Sequence, residues 1–207
     1  MIADEESARA FCSSVVDAAG MERLERFVQL LAGENQRQNL VSDASMAKVW
    51  QRHIADSLQL LSYVPANSSP WLDLGSGAGP PGLVIALARA DLPVHLVESR
   101  RRRAQWLVQV VEECGLSQCR VHDARLEDVD TIAAGVVSAR AFAPLAKLMR
   151  LSARFSTPNT YWLLPKGRSA AQELADQASG LRALFHVEQS LTDPEAGLLI
   201  GQGRPNI

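Results

Sequence analysis

The residues best placed to do chemistry lie in Trp71-Leu72-Asp73-Leu74-Gly75-Ser76-Gly77-Ala78-Gly79-Pro80-Pro81-Gly82. A hydrophobic strand pattern runs into three alternating glycines, and a helix pattern follows. Glycine is needed where a backbone turns sharply and lies against a ligand, because a Cβ there collides. The next strand pattern ends on Glu98, about 20 residues on, a position suited to accept hydrogen bonds from ribose hydroxyls. A plain tight turn also uses such glycines, and two nucleotide classes use the whole arrangement. Gly77-x-Gly79-x-x-Gly82 fits the dinucleotide fingerprint, a weak match by itself. Asp73 is an awkward neighbour for a pyrophosphate and suits a ligand carrying ammonium and sulfonium charges. Pro80 and Pro81 also remove two N–H groups that a pyrophosphate would use at the helix N-terminus. These features favour S-adenosylmethionine, with S-adenosylhomocysteine as its product.

The pattern around the loop is that of an α/β fold. Strand candidates are Trp71–Leu74, Val94–Val97, Cys119–His122, Val136–Ala139 and Tyr161–Leu164. Helix candidates Gly82–Ala90, Arg101–Cys114, Pro144–Phe155 and Ala170–Ser179 alternate with them. Such alternation implies a parallel sheet covered on both faces. Ala183–Ser190 and Gly197–Gly203 read as a hairpin that finishes the sheet antiparallel. Before residue 69 the apolar residues recur at helical spacing instead. Met21, Leu24, Phe27, Val28, Leu30 and Leu31 form one stripe; Met46, Val49, Trp50, Ile54, Leu58 and Leu61 form another. An earlier helix is expected over 7–19, stopped by Gly20. The division is therefore a helical cap, 1–69, and a nucleotide-binding part, 70–207, with the turn-rich stretch 65–70 between them.

Composition narrows the function further. The chain has 207 residues, 47% hydrophobic and 21% charged, as expected of an ordinary globular chain and not of a disordered one. Its net charge of −2 excludes a wholly polycationic nucleic-acid binder while leaving room for a local basic patch. The longest aliphatic run, Leu83 to Ala88, is far short of the roughly 20 residues of a membrane span. Asp4, Glu5 and Glu6 are wrong for a targeting segment. Cys12, Cys114 and Cys119 lack close metal-ligand spacing, so reduced thiols in a cytoplasmic protein and no metal site are expected. A monomer is expected as well.

Further blocks make the chain similar to one family. They are Asn39-Leu40, Arg52-His53-Ile54-Ala55-Asp56-Ser57, the glycine loop, Leu96-Val97-Glu98-Ser99, Arg125-Leu126-Glu127, Ser138-Ala139-Arg140-Ala141-Phe142-Ala143 and Lys166-Gly167. In this order and spacing they resemble the bacterial 16S ribosomal RNA guanine-N7 methyltransferases of the glucose-inhibited division protein B family. The resemblance implies a Rossmann-like class I methyltransferase fold: a seven-stranded, mostly parallel sheet with an antiparallel C-terminal hairpin and an N-terminal helical cap. It implies methyl transfer from S-adenosylmethionine to N7 of a guanine in the decoding-centre loop of 16S RNA, met free, in the small subunit or in an assembly intermediate. It also implies that Gly75, Pro80, Leu126, Glu127 and Arg140 line the cofactor site, with Leu126 and Glu127 beside the adenine. Asp73, Gly77, Gly79 and Glu98 join that set from the loop reading. The sequence departs from the family at Pro80, usually a bulkier apolar residue, and at Val41, often threonine.

The target fits the residues that are missing. Guanine N7 carries an in-plane lone pair, so it needs alignment and desolvation, not a strong base. The Asn/Asp-Pro-Pro-aromatic loop of adenine-N6 enzymes is absent, and no cysteine follows a proline as cytosine-C5 chemistry requires. Arg140, at a strand's carboxyl end, is the candidate catalytic residue, holding the cofactor carboxylate or the guanine edge by a forked hydrogen bond. Arg101 and Arg103, in a run of four arginines, are candidate phosphate contacts or simply a solvated helix end. Arg52 and His53 are candidate RNA contacts, although Arg52 and Asp56 at i,i+4 also suit an ion pair. Lys166, with Arg150, Arg154 and Arg168, would extend a basic rim. Methyl transfer to a protein or small molecule, and a non-catalytic RNA-binding module, are the competing readings.

Overall fold

The computed structural model describes residues 1–206. Helices α1 (Glu5–Val15), α2 (Ala18–Gln38) and α3 (Asp43–Met46) come first. A single π-helical segment, Trp50–Ala55, then continues into α4 (Asp56–Leu58) and a 3-10 turn at Gln59–Tyr63. After these the chain runs β1 (Trp71–Leu74), α5 (Gly82–Ala88), β2 (Val94–Glu98), α6 (Arg101–Glu113), β3 (Cys119–Asp123) and β4 (Ala134–Ala139). It ends with α7 (Leu145–Ser152), β5 (Ser156–Gly167), α8 (Ala170–Ala175), α9 (Ser179–Arg182), β6 (Phe185–Gln189) and β7 (Gly197–Gln202). Among the described residues no helix is long and apolar enough to cross a membrane.

The sheet has seven strands in the order β3-β2-β1-β4-β5-β7-β6. β1 to β5 are parallel, and β7 runs antiparallel between β5 and β6. The hairpin is thus present, with its second strand turned inward against β5. The sheet is covered on both sides, which is why β1 is apolar at almost every position and buried throughout. Trp71, Leu83, Leu96 and Trp106 pack on one face together with Leu24, Phe27 and Ile54 from the N-terminal helices. Leu72, Leu74, Val97, Val137, Leu148 and Trp162 pack on the other. The N-terminal helices therefore share a core with α5 and α6.

Gly20 corrects the expected helix boundary. The helix α1 ends at Val15 because Val16 is extended, and the Asp17 side chain caps α2 by accepting from the N–H of Gly20 at 2.7 Å. Gly20 lies inside α2 because a Cβ there would meet Val16 Cγ1 and the Ala88 carbonyl of α5. The other long helix pattern, 46–61, is broken into π, α and 3-10 turns. The carboxylate of Glu5 accepts from the backbone N–H groups of Trp50 (3.0 Å) and Gln51 (2.8 Å) and so fixes the start of the π segment. Asn39 has a local role: it closes α2 in the left-handed conformation, φ 45°. The expected helix 170–179 is two short helices, α8 and α9, and β5 is longer than expected at both ends.

Candidate functional site

The loop from Gly75 to Gly79 lies at the carboxyl edge of β1. Gly75, Gly77 and Gly79 have φ of 69°, 54° and 125°, so the alternation meets a backbone demand as well as a demand for space. The loop is held from three sides. The N–H groups of Gly75 and Ser76 donate to the Val97 carbonyl at 2.8 and 3.0 Å. The indole N–H of Trp106, on α6, donates to the Ala78 carbonyl at 3.1 Å. Glu98 accepts from the N–H of Gly77 at 2.9 Å and from the N–H of Arg100 at 2.7 Å. Trp106 was not singled out in the sequence, where it reads only as core on an amphipathic helix.

Asp73 is placed differently from the expected ligand contact. It is fully buried, its neighbour across the β1–β4 pairing is Ser138, and Gly82 covers it so closely that a Cβ would lie 2.3 Å from its own. Trp71 Nε1–H donates to Ser138 Oγ at 2.8 Å, and Ser138 donates to Asp73 Oδ1 at 2.5 Å. Oδ2 has no partner among the described residues. Burial pushes the carboxyl up to about 6 against the lowering effect of Ser138, Ser76, Gly82 and Arg140. Asp73 thus ties the strand-to-helix turn together from beneath, through Ser138 and against Gly82.

Arg140, at the end of β4, joins the two most specific sequence blocks. It donates to the Arg52 carbonyl at 3.2 Å and to His53 Nδ1 at 3.1 Å, and lies 3.6 Å from Asp56 Oδ2. His53 is buried, and burial with the charges of Arg140 and Arg52 lowers its pKa to about 3. It therefore stays neutral, with Nδ1 accepting from Arg140 and Nε2–H donating to Ser45 Oγ at 3.2 Å. His53 thus steadies Arg140 largely from the interior and meets solvent only through the small part of its surface left exposed. The expected pair of Arg52 with Asp56 does not form. Arg52 pairs with Asp193 at 2.7 Å, 141 residues away, and Asp56 accepts from Thr192 at 2.6 Å.

Arg140 lines a cavity of about 840 Å³ together with Arg52, His53, Phe142, Lys166 and Glu173, among others. It follows β4, whose pairing with β1 sets Ala139 beside Leu74 at the start of the glycine loop. Phe142 touches both loop and cavity: its ring lies against Gly75, with Cδ2 2.7 Å from where a Cβ would stand, and it lines the cavity. Ala141, just before it, is left-handed at φ 52°.

The remaining basic candidates separate. Lys166 donates to Glu173 at 3.0 Å and to the Ala143 carbonyl at 3.1 Å, so its ammonium is spent on the cavity wall and not on an outer rim. Arg154 donates to the carbonyls of Leu126 (2.6 Å) and Val129 (2.7 Å) and fixes the 3-10 turn Leu126–Asp128, in which Leu126 is buried and Glu127 exposed. Arg168 pairs with Glu195. Arg101 is exposed, whereas Arg103 turns toward the loop, its Nη1 3.4 Å from the Cβ position of Gly77. The structure therefore sets Arg103 beside the glycine loop, in a different setting from Arg101.

A family model described as rRNA small subunit methyltransferase G matches residues 20–195. The chain belongs to this family. It is 59% identical over 204 residues to a "Ribosomal RNA small subunit methyltransferase G" of Erythrobacter litoralis, covering 99% of both chains. It is 52% identical to the protein of the same name from Novosphingobium aromaticivorans, covering 96% of this chain and 88% of that one. Among solved structures, an RNA methyltransferase from Salinibacter ruber in complex with S-adenosylhomocysteine superposes with a TM-score of 0.55 at 18% identity, covering 73% of this chain and 92% of that one. A mutant of MtNAS in complex with S-adenosylmethionine gives 0.57 at 16% identity, covering 98% and 84%. These likenesses show the Rossmann-like methyltransferase fold. In this chain the segment around Arg52 and the end of β4 form two halves of one clamp, joined by Arg140.

Proposed function

We propose that this member of the methyltransferase G family transfers a methyl group from S-adenosylmethionine to N7 of a guanine in the decoding-centre loop of 16S ribosomal RNA. The observation that carries the reading is the position of Arg140, in the wall of a cavity of base-accepting size and directly after β4, which pairs with β1 at the glycine cradle. S-adenosylmethionine supplies an electrophilic methyl group when bound. The cradle fits it: a Cβ on Gly77 would fill the space beside Glu98 Oε2, and the Glu98 carboxylate has lone pairs left for ribose hydroxyls. Gly75, Gly77, Gly79, Pro80, Glu98, Leu126 and Glu127 would hold it, with Arg103 beside Gly77. Arg140 cannot act as a base, because a guanidinium stays protonated near neutral pH. Its part is to orient groups at the cavity wall. The helices before residue 69 position Arg140 through His53, and the substrate RNA is met in the cytoplasm by a single copy of the chain.

The test is to map N7-methylguanine in 16S RNA from a strain lacking the protein. The modification is expected to disappear and to return with the wild-type gene but not with Arg140→Ala. A full level of modification in the deletion strain overturns the reading.

Two substitutions probe the cradle. Glu98 accepts from two N–H groups at once, and glutamine offers one acceptor oxygen, so Glu98→Gln leaves one of them facing a donor. Isothermal titration is expected to show S-adenosylmethionine affinity weakened by about 1–3 kcal/mol, with a smaller loss for Glu98→Asp. Unchanged affinity in both would remove Glu98 from the cofactor site. Arg103→Gln is expected to weaken cofactor affinity by about two- to fivefold, the worth of one solvent-screened charged contact. Arg101→Gln should leave that affinity alone and lower the salt slope of RNA binding by about one. Identical behaviour of the two variants would contradict the different placements of their side chains.

A further inference from the structure

The cavity beside Arg140 has a charge pattern that selects its occupant. Each cation on its wall is already bound to a carboxylate: Arg52 to Asp193, Arg140 to Asp56 and Lys166 to Glu173. Asp176 lines it as well, so the carboxylates outnumber the cations by one, and His53 is held neutral. A site built for phosphate keeps cations to spare; this one has none. Its wall instead offers acceptors. Glu173 fixes Oε1 on Lys166 and on the N–H of Leu145 (2.5 Å), while Oε2 takes no hydrogen bond among the described residues. Asp193 is held below the usual carboxylate range by Arg52, which donates to Oδ2, while Oδ1 accepts from the N–H of Glu195 at 3.0 Å, so each oxygen keeps a lone pair for a further donor. Guanine presents adjacent N–H donors at N1 and N2, which carboxylates accept together; adenine pairs its N6 donor with a bare acceptor at N1, which they repel. Phe142 at the mouth supplies a ring on which a base stacks.

We propose that this cavity receives the target guanine after it is drawn out of its strand, that Glu173 and Asp193 accept from its donor edge, and that the net negative wall favours the base in its N7-methylated form. The methylated base has gained a methyl group and lost no proton, so it carries one positive charge. This inference rests on the guanine-N7 reading above. Extrusion is how enzymes that act on a stacked base reach it.

The experiment titrates the full chain with guanosine 5′-monophosphate, its N7-methyl derivative, adenosine 5′-monophosphate and inorganic phosphate. The N7-methyl nucleotide is expected to bind about fivefold tighter than guanosine monophosphate, the ratio of one partly screened charge contact. Guanosine monophosphate should bind tighter than adenosine monophosphate, and inorganic phosphate should not compete. Glu173→Gln and Asp193→Asn should each reduce the preference for the methylated base while S-adenosylmethionine affinity and Tm stay near wild type. If one of them unfolds, the other decides. Equal binding of the purine nucleotides, competition by phosphate, or no nucleotide binding overturns the proposal. Methylation of small-subunit RNA by the wild-type chain is followed in parallel with labelled donor. Transfer to guanine N7 without nucleotide preference refutes the pocket alone, whereas a preference for guanine with transfer elsewhere refutes the guanine-N7 reading alone.

Discussion

Arg140→Ala is expected to slow single-turnover methyl transfer by about 100- to 1000-fold, the loss typical of removing one preorganised charged donor from a reacting centre. The guanidinium reaches three partners on one segment, the Arg52 carbonyl, His53 Nδ1 and Asp56, and holds that segment against the end of β4. Lysine keeps the charge but has no planar fork with which to meet the three together. Arg140→Lys is therefore expected to lose at least about tenfold, well below wild type. Stability should change little, because Asp56 keeps Thr192 and Gln59 as donors. A fall in Tm of about 2–4 °C corresponds to one kcal/mol in a chain of this size. Near-wild-type turnover in Arg140→Ala would reduce the residue to a strand-end ion pair.

Gly77→Val is expected to abolish S-adenosylmethionine binding in a chain that still folds. Gly77 sits at φ 54°, where a β-branched residue is strained, and the cost of about 1–2 kcal/mol is small against a whole domain. The new side chain points between Arg103 and Glu98, with its Cβ 3.4 Å from Arg103 Nη1 and 3.9 Å from Glu98 Oε2. That space has room for the side chain or for a nucleoside, and not for both. Thermal melting separates the strain from the blocked site, and isothermal titration reads the affinity. Unaltered affinity in the valine variant would take the loop out of the cofactor site.

The parts of this fold that were legible in the sequence are those written in short stretches. The strands β1, β2 and β4 show because both faces of the sheet are covered there, so each is mostly apolar, whereas the edge strand β3 keeps only Cys119 and Val121 as apolar positions. The loop shows because three glycines at alternate positions have few structural uses. Gly20 misleads because a glycine that stops a helix and one that lets two helices touch look the same in sequence. The clamp was legible only as two separate blocks, one before β1 and one after β4. Nothing local says that Arg52 finds Asp193 instead of Asp56; that choice is made by the turn after β6, which carries Asp193 to the cavity. Lys166 and Arg154 were visible as charges, but their partners are a carboxylate and backbone carbonyls supplied by other elements.

The inward position of β7 has a consequence for how the protein acquires its activity. The cavity wall is closed by a turn that must return from the end of the sheet to meet the helical segment near its beginning, across 136 to 141 residues. Contacts of such long range are slow to form, because the chain entropy is lost before the contacts repay it. The nucleotide cradle, assembled from β1, β2, α6 and the turn after β3 within a span of roughly 60 residues, has a shorter delay. A refolding chain should therefore regain cofactor binding before it regains methyl transfer, and the interval between the two recoveries measures the docking of the return strand.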